Sequence, residues 1–145
     1  MIARTEFISA TMALAYDSAC HKRHAAMVVK GRRVLGAATN KQKTHPAGYG
    51  IGQRSFHAEA AAMMRAADSR WPENGKARNS LRGCVLYSFR NGPFKKSRPC
   101  SDCIRMAMER GIKVIVYDLG PADPEDEEAM MYRPGFVAHW FEETI

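Results

Sequence analysis

The chain has 145 residues, 46% of them hydrophobic, with 22 Lys and Arg against 15 Asp and Glu and a formal net charge of +7. That length fits one domain with a real core, and no apolar run approaches the ~20 residues needed to cross a bilayer. The opening Met-Ile-Ala-Arg-Thr-Glu-Phe has no basic segment followed by an apolar stretch, so no secretory signal is expected and the reading is a cytoplasmic protein.

Phe7, Ile8, Met12, Leu14 and Ala15 recur at mostly helical spacing and predict a helix over 5–20. Ala25 to Val29 and Val34 to Ala38 read as strands joined by a short Gly31-Arg32 turn. Lys41 to Phe56 is polar, contains glycine and has no period; it is too long for an idle connector and is expected to be a functional loop. A helix over 57–67, an irregular segment to Arg82, a strand over 84–89, a loop over 90–99, a helix over 100–110 and a strand over 113–117 follow. Asp123 caps a further predicted helix from Pro124 to Met131, and Phe136 to Trp140 reads as a short fifth strand. The order implies one α/β domain over residues 1–145, a three-layer α/β/α structure around a mixed five-stranded sheet. If the 124–131 helix joins the last two strands, their connection is a crossover and they are parallel.

Two phrases carry the chemistry: His57-Ala58-Glu59 and, forty residues on, Pro99-Cys100-Ser101-Asp102-Cys103. Two thiolates and a neutral imidazole would bring a charge of minus two to a dication and leave one coordination position open. A catalytic zinc keeps that position for water, and lowers the water's pKa toward neutrality. Cys100 and Cys103 are three apart, so a helix places both sulfurs on one face, and Pro99 stands where that helix begins. Both cysteines then lie at a helix N-terminus, where the macrodipole favours thiolate. Glu59 follows His57 too closely for an easy second ligand, but a first-turn carboxylate can reach a metal-bound water and suits a carrier of its proton.

The plainer alternatives are a structural zinc clip, with Cys20 or Cys84 as fourth ligand, and a redox pair. The first does not require Glu two residues after His or Pro before Cys, and the second leaves His-x-Glu unexplained. Cys20 and Cys84 read as packed free thiols in a reducing compartment. Tyr87 and Phe89 alternate on a predicted strand and read as core, whereas Tyr49 and Phe94 lie in loops where they could stack on a base.

The H-x-E and P-C-x-x-C phrases, with Ser18 to Lys30 and Arg33 to Asn40, resemble the cytidine and deoxycytidylate deaminase superfamily over roughly residues 5 to 118. The resemblance implies one Zn²⁺ per chain on His57, Cys100 and Cys103, with Glu59 catalytic. It sets Asn40 against a sugar hydroxyl and the backbone N–H of Ala58 against the base carbonyl. Parallel last strands would match the deoxycytidylate, tRNA and polynucleotide branch, since the small cytidine deaminases have antiparallel ones. A homo-oligomer is also expected.

Charge bears on the substrate. Residues 1–120 hold 21 basic against 8 acidic side chains, a balance of +13, while residues 121–145 hold one against seven, or −6. A positive body suits phosphate-bearing substrates. Lys95, Lys96 and Arg98 crowd the loop before Cys100, and Lys41, Lys43 and Arg54 stand after Asn40; both groups are candidates for phosphate contact. The reading is a zinc-dependent hydrolytic deaminase converting cytosine to uracil in a free nucleotide, dCMP to dUMP. Its alternatives act on cytosine or adenine in single-stranded DNA or tRNA. Against these, Arg98 replaces the glutamate that tRNA adenosine deaminases carry before Pro-Cys, and the polynucleotide enzymes' tryptophan before Ser-Pro-Cys is missing. A noncatalytic zinc-stabilised nucleic-acid-binding module is the alternative from a different class, and Glu59 argues against it.

Overall fold

A computed structural model describes residues 3–42, 55–69, 80–120 and 140–145. Helix α1 (Thr5–Ala15) leads into an antiparallel hairpin of β1 (His24–Lys30) and β2 (Arg33–Thr39), turned at Gly31, whose φ of +62° suits a residue without Cβ. Two-residue strands β3 (Lys41–Gln42) and β4 (Ser55–Phe56) pair with each other outside the main sheet. Then come α2 (Ala58–Ser69), β5 (Cys84–Arg90), α3 (Ser101–Glu109), β6 (Val114–Asp118) and β7 (Trp140–Thr144). The main sheet runs β2-β1-β5-β6-β7.

Period-two patterning sorts its faces. Val85, Tyr87 and Phe89 of β5 pack with Val29, Val116 and Ile8 of α1, while Leu86, Ala26, Val28 and Ile115 pack with alanines of α2 and with Ala107 of α3. The sheet is therefore the middle of three layers, as the element order implies, and Tyr87 and Phe89 are core. Helix α1 is shorter than expected: it stops at Ala15, and Ser18 Oγ turns to Asn40 Oδ1 at 2.6 Å. A serine whose hydroxyl finds a partner outside the helix favours ending it.

The expected parallel pairing of the last two strands is wrong. β5 and β6 are parallel, joined through α3, but β6 and β7 are antiparallel, with Asp118 opposite Trp140 and Val114 opposite Thr144. The chain re-enters the sheet at the end where it left, so the pairing needs no crossover. A connection long enough for a crossover does not impose one, because antiparallel strands accept connections of any length. The strand also begins at Trp140, where the sequence reading ended it. The 124–131 helix lies outside the described residues, as do residues 43–54 of the 41–56 loop.

Helix α2 lies very close to β2. A Cβ at Gly36 would fall onto the carbonyl oxygen of Ala62 and 2.6 Å from the Ala66 nitrogen, and Arg65 Nη1 donates to the Ala37 carbonyl at 2.7 Å. Because the obstacle is helix backbone, it cannot rotate aside. Gly36→Ala should lower stability by about 1–3 kcal/mol, the usual cost of overpacking, and displace α2 together with Glu59. Chemical denaturation measures the first effect, and loss of bound metal per folded chain reports the second.

Candidate active site

His57 stands immediately before α2, its carbonyl accepting from Ala61 N at 3.2 Å. Cys100 is the N-cap of α3 in extended conformation, with no side-chain cap bond, and Cys103 occupies the first turn. Two helix N-termini thus converge. His57 Nδ1 lies 3.4 Å from Cys103 Sγ and 3.4 Å from Cys100 Sγ, and the three donor atoms all fall within 4.8 Å of one another. A tetrahedral zinc with Zn–N of about 2.0–2.1 Å and Zn–S of about 2.3 Å separates N and S by about 3.5 Å, so the donor set and its spacing fit. Burial, then the charges of Glu59 and Cys100, push the Cys103 thiol far above its ordinary range, opposing the helix N-terminus. A cation among the three donors would favour that sulfur as thiolate. Cys20 Sγ instead faces the Asn40 carbonyl at 3.5 Å and Cys84 Sγ the Arg82 carbonyl at 4.0 Å; neither joins the cluster.

Glu59, on the first turn of α2, is 4% exposed. Its Oε2 lies 3.8 Å from Cys103 Sγ, and its Oε1 is 2.7 Å from Ser88 Oγ and 2.8 Å from His24 Nε2. Burial alone would raise the carboxyl pKa; the His24 charge and hydrogen bond, with that of Ser88, offset it and bring the group to about 2. Ser88 Oγ also approaches the Ser97 carbonyl at 2.9 Å, and Ser97 Oγ donates to the Ser88 carbonyl at 2.7 Å. Sequence reasoning missed His24 and Ser88. Their signal was positional: each sits on a strand in period with Ala26, Val28 or Leu86, on a face that is otherwise apolar.

His24, His57, Glu59, Ser97 and Cys100 border a cleft of about 430 Å³ whose lining also includes Asn40, Ala58 and the cations Lys22, Arg90, Lys96 and Arg98. Asn40 is largely committed within the chain: Oδ1 accepts from Ser18 Oγ and from His24 N at 3.0 Å, and Nδ2 donates to the Lys22 carbonyl at 2.7 Å. Its amide keeps one further N–H. Ala58 N belongs to the first turn of α2, where N–H groups have no intrahelical acceptor. Of the three loop cations expected to meet phosphate, Arg98 is paired with Glu143 Oε1 at 3.1 Å and Oε2 at 3.2 Å and lies over the Tyr117 ring. Lys95 Nζ is bound to the Asn91 carbonyl at 2.7 Å and is not part of the lining; Lys96 is part of it and exposed. Lys22 and Arg90, which the sequence did not single out, join it; Arg90 Nε is buried without a hydrogen-bond partner among the described residues. Phe94 lies outside the lining, and Lys43, Tyr49 and Arg54 fall outside the described residues.

The three-layer fold with an imidazole and two thiols at paired helix N-termini defines a zinc-dependent hydrolase of the cytidine deaminase superfamily. A family model described as the cytidine and deoxycytidylate deaminase zinc-binding region matches residues 3–119, and the chain belongs to that family. No curated protein sequence matches significantly. Among solved structures, the apo dCMP deaminase of cyanophage S-TIM5 aligns with a TM-score of 0.51 and 20% identity, covering 88% of this chain and 94% of that one. Guanine deaminase from Bacillus subtilis aligns at 0.56 with 16% identity, covering 90% and 75%. Cytidine deaminase from Burkholderia pseudomallei aligns at 0.55 with 17% identity, covering 84% and 87%. At these identities the likeness is one of fold. Among the described residues no helix is long and apolar enough to cross a membrane.

Alanine at His57, Cys100 or Cys103 should each reduce bound metal well below one equivalent, measured by elemental analysis of the purified protein, whereas alanine at Cys20 or Cys84 should leave it unchanged. Equal loss at either of the latter would restore a closed, four-ligand site.

Proposed function

We propose that the chain holds one zinc ion on His57, Cys100 and Cys103 and hydrolytically deaminates cytosine in a free deoxycytidine nucleotide, dCMP to dUMP. The carrying observation is the convergence of those three donors beside a buried carboxylate, in a cleft bordered by four cations. When bound, zinc supplies a Lewis acid that makes water acidic enough to attack at neutral pH. Glu59 accepts the proton of the attacking water and delivers it to N3 of the ring, then carries a second to the departing amine, so that water and cytosine yield uracil and ammonia. The N–H of Ala58 donates to the C2 carbonyl, and the remaining N–H of Asn40 donates to a sugar hydroxyl.

The choice of a nucleotide rests on charge and not on strand order, because the antiparallel β6–β7 pair withdraws the topological argument for the deoxycytidylate branch. Glu59, the carboxylate of the lining, is already paired with His24, which leaves Lys22, Arg90 and Lys96 to balance an incoming phosphate. Arg98 contributes less while Glu143 holds it. A second reading, cytosine in single-stranded nucleic acid, draws on the +13 balance of residues 1–120.

Ammonia release across a panel of nucleoside, nucleotide and oligonucleotide separates the two. dCMP should be turned over far better than deoxycytidine, and Arg90→Gln with Lys96→Gln should raise KM for dCMP about 10- to 100-fold, the scale of one or two hydrogen bonds to a charged group. KM for deoxycytidine should barely change. Gain with strand length and a binding slope near −0.7 per phosphate contact against log salt would instead favour the polynucleotide reading. Glu59→Gln should retain metal while turnover falls by ~10²–10⁴-fold.

A further inference from the structure

The first residue of β1 is a histidine on a face whose next positions, Ala26 and Val28, are buried and apolar. Its side chain is 19% exposed, and its Nε2 is 2.8 Å from Glu59 Oε1 and 2.7 Å from Ser88 Oγ. Nε2 and Oε1 both carry lone pairs, so an approach of this length places a proton between them, and with Glu59 as the acceptor of the water's proton that shared proton belongs to Nε2. Ser88 cannot do the same work alone: it has one hydroxyl proton and two acceptors in reach, Glu59 Oε1 and the Ser97 carbonyl. Both donors address Oε1, which leaves Oε2 as the oxygen facing the ligand cluster, 3.8 Å from Cys103 Sγ.

We infer that His24 is a positioning residue for proton transfer: by donating from Nε2 to Glu59 Oε1 it fixes the carboxylate rotamer, so that Oε2 is the atom that exchanges protons with water and base. The inference rests on the proposed proton-carrying role of Glu59. A carboxylate free to rotate about its terminal torsion presents either oxygen to the cleft and spends part of its time turned away. The anchored one does not. Backbone geometry supports the assignment, since His24 N donates to Asn40 Oδ1 and Asn40 N to the His24 carbonyl at 3.0 Å, which holds the start of β1 against the end of β2.

The test compares His24→Leu, His24→Gln, Glu59→Gln and the His24→Leu/Glu59→Gln double variant, each loaded with zinc and assayed for ammonia release on the best substrate of the panel. His24→Leu should lower kcat about 10- to 100-fold with KM within about threefold, the scale of one lost hydrogen bond to a charged group. Bound metal should stay at the wild-type level, and His24→Gln, which keeps an N–H near the same place, should recover most of the loss. In the Glu59→Gln background His24→Leu should add little, because both changes strike one device. Normal kcat in His24→Leu alongside an inactive Glu59→Gln overturns the role of His24 and spares that of Glu59. Equal losses in the Leu and Gln variants, or loss of metal in both, overturn it in favour of a packing role. Wild-type turnover in Glu59→Gln defeats the proposed mechanism itself, and with it any role of His24 through Glu59. Nitrogen-15 imidazole spectra of the unmutated zinc protein give a readout independent of activity: Nε2 of His24 should carry a proton whose resonance shifts in Glu59→Gln, and an unprotonated Nε2 overturns the inference.

Discussion

An ionised carboxylate sunk beneath a β-sheet is the constraint around which this molecule is arranged. Burying such a charge without partners costs several kcal/mol, and the usual escape is protonation. Glu59 escapes differently, because β1 and β5 each present a polar side chain at a core-facing position and both reach the same oxygen. The arrangement fixes more than Glu59. Ser97 Oγ donates to the Ser88 carbonyl at 2.7 Å and accepts from Asp118 N at 2.8 Å, while the Ser97 N–H donates to the Asp118 carbonyl at 3.1 Å and the Ser97 carbonyl lies 2.9 Å from Ser88 Oγ. Three residues after Ser97 comes Cys100. The bonds that hold the carboxylate therefore also set the approach of the loop that delivers the thiols.

That geometry needs α2 close to the sheet. Alanine at Ala58, Ala61, Ala62 and Ala66 gives the helix a low profile, and Gly36 removes the last obstacle on β2. A helix with leucines at these positions would stand off the sheet at the usual separation set by larger side chains, and Glu59 would lie out of reach of Ser88. Small residues here shorten a distance that the chemistry requires; this is a packing reason for a helix whose composition otherwise suggests only good helix propensity.

Much of this was legible in the residues. The H-x-E and P-C-x-x-C phrases identify the cluster because metal coordination demands fixed donor types at short spacings, and short spacings survive folding. The hairpin, β5, α3 and β6 were legible through hydrophobic period and turn residues to within a residue or two. The β6–β7 pairing was not, since strand direction across a long connection depends on where the chain re-enters the sheet, and period carries no such information. His24 and Ser88 were missed for a related reason. Each looks like an incidental polar residue in its own segment, and acquires meaning only when β1, α2 and β5, far apart in sequence, come together. The cations divided similarly: neighbours of Cys100 drew attention, but Lys95 turned to Asn91 and Arg98 to Glu143, while Lys22, two residues before β1, and Arg90, the last residue of β5, reached the cleft.

The antiparallel β7 gives the charge asymmetry of the chain a structural meaning. Its register places Glu143 beside Ile115, from where the carboxylate makes two bonds to Arg98 while Tyr117 packs edge-on against Phe141. The Arg98 pairing holds the Glu143 carboxyl below its ordinary range, with burial opposing it, so the bridge is ionised on both sides at neutral pH. Arg98 is exposed and Glu143 half-buried, and such a surface bridge contributes little to global stability. Its effect is local. Arg98 stands two residues before Cys100, so an acidic C-terminal strand restrains the basic loop at the edge of the site and neutralises one of its four cations. A parallel β7 would run the other way along β6 and could not present Glu143 in this register. The cleft's positive potential is thus set in part by the direction of a strand that contributes no residue to its lining.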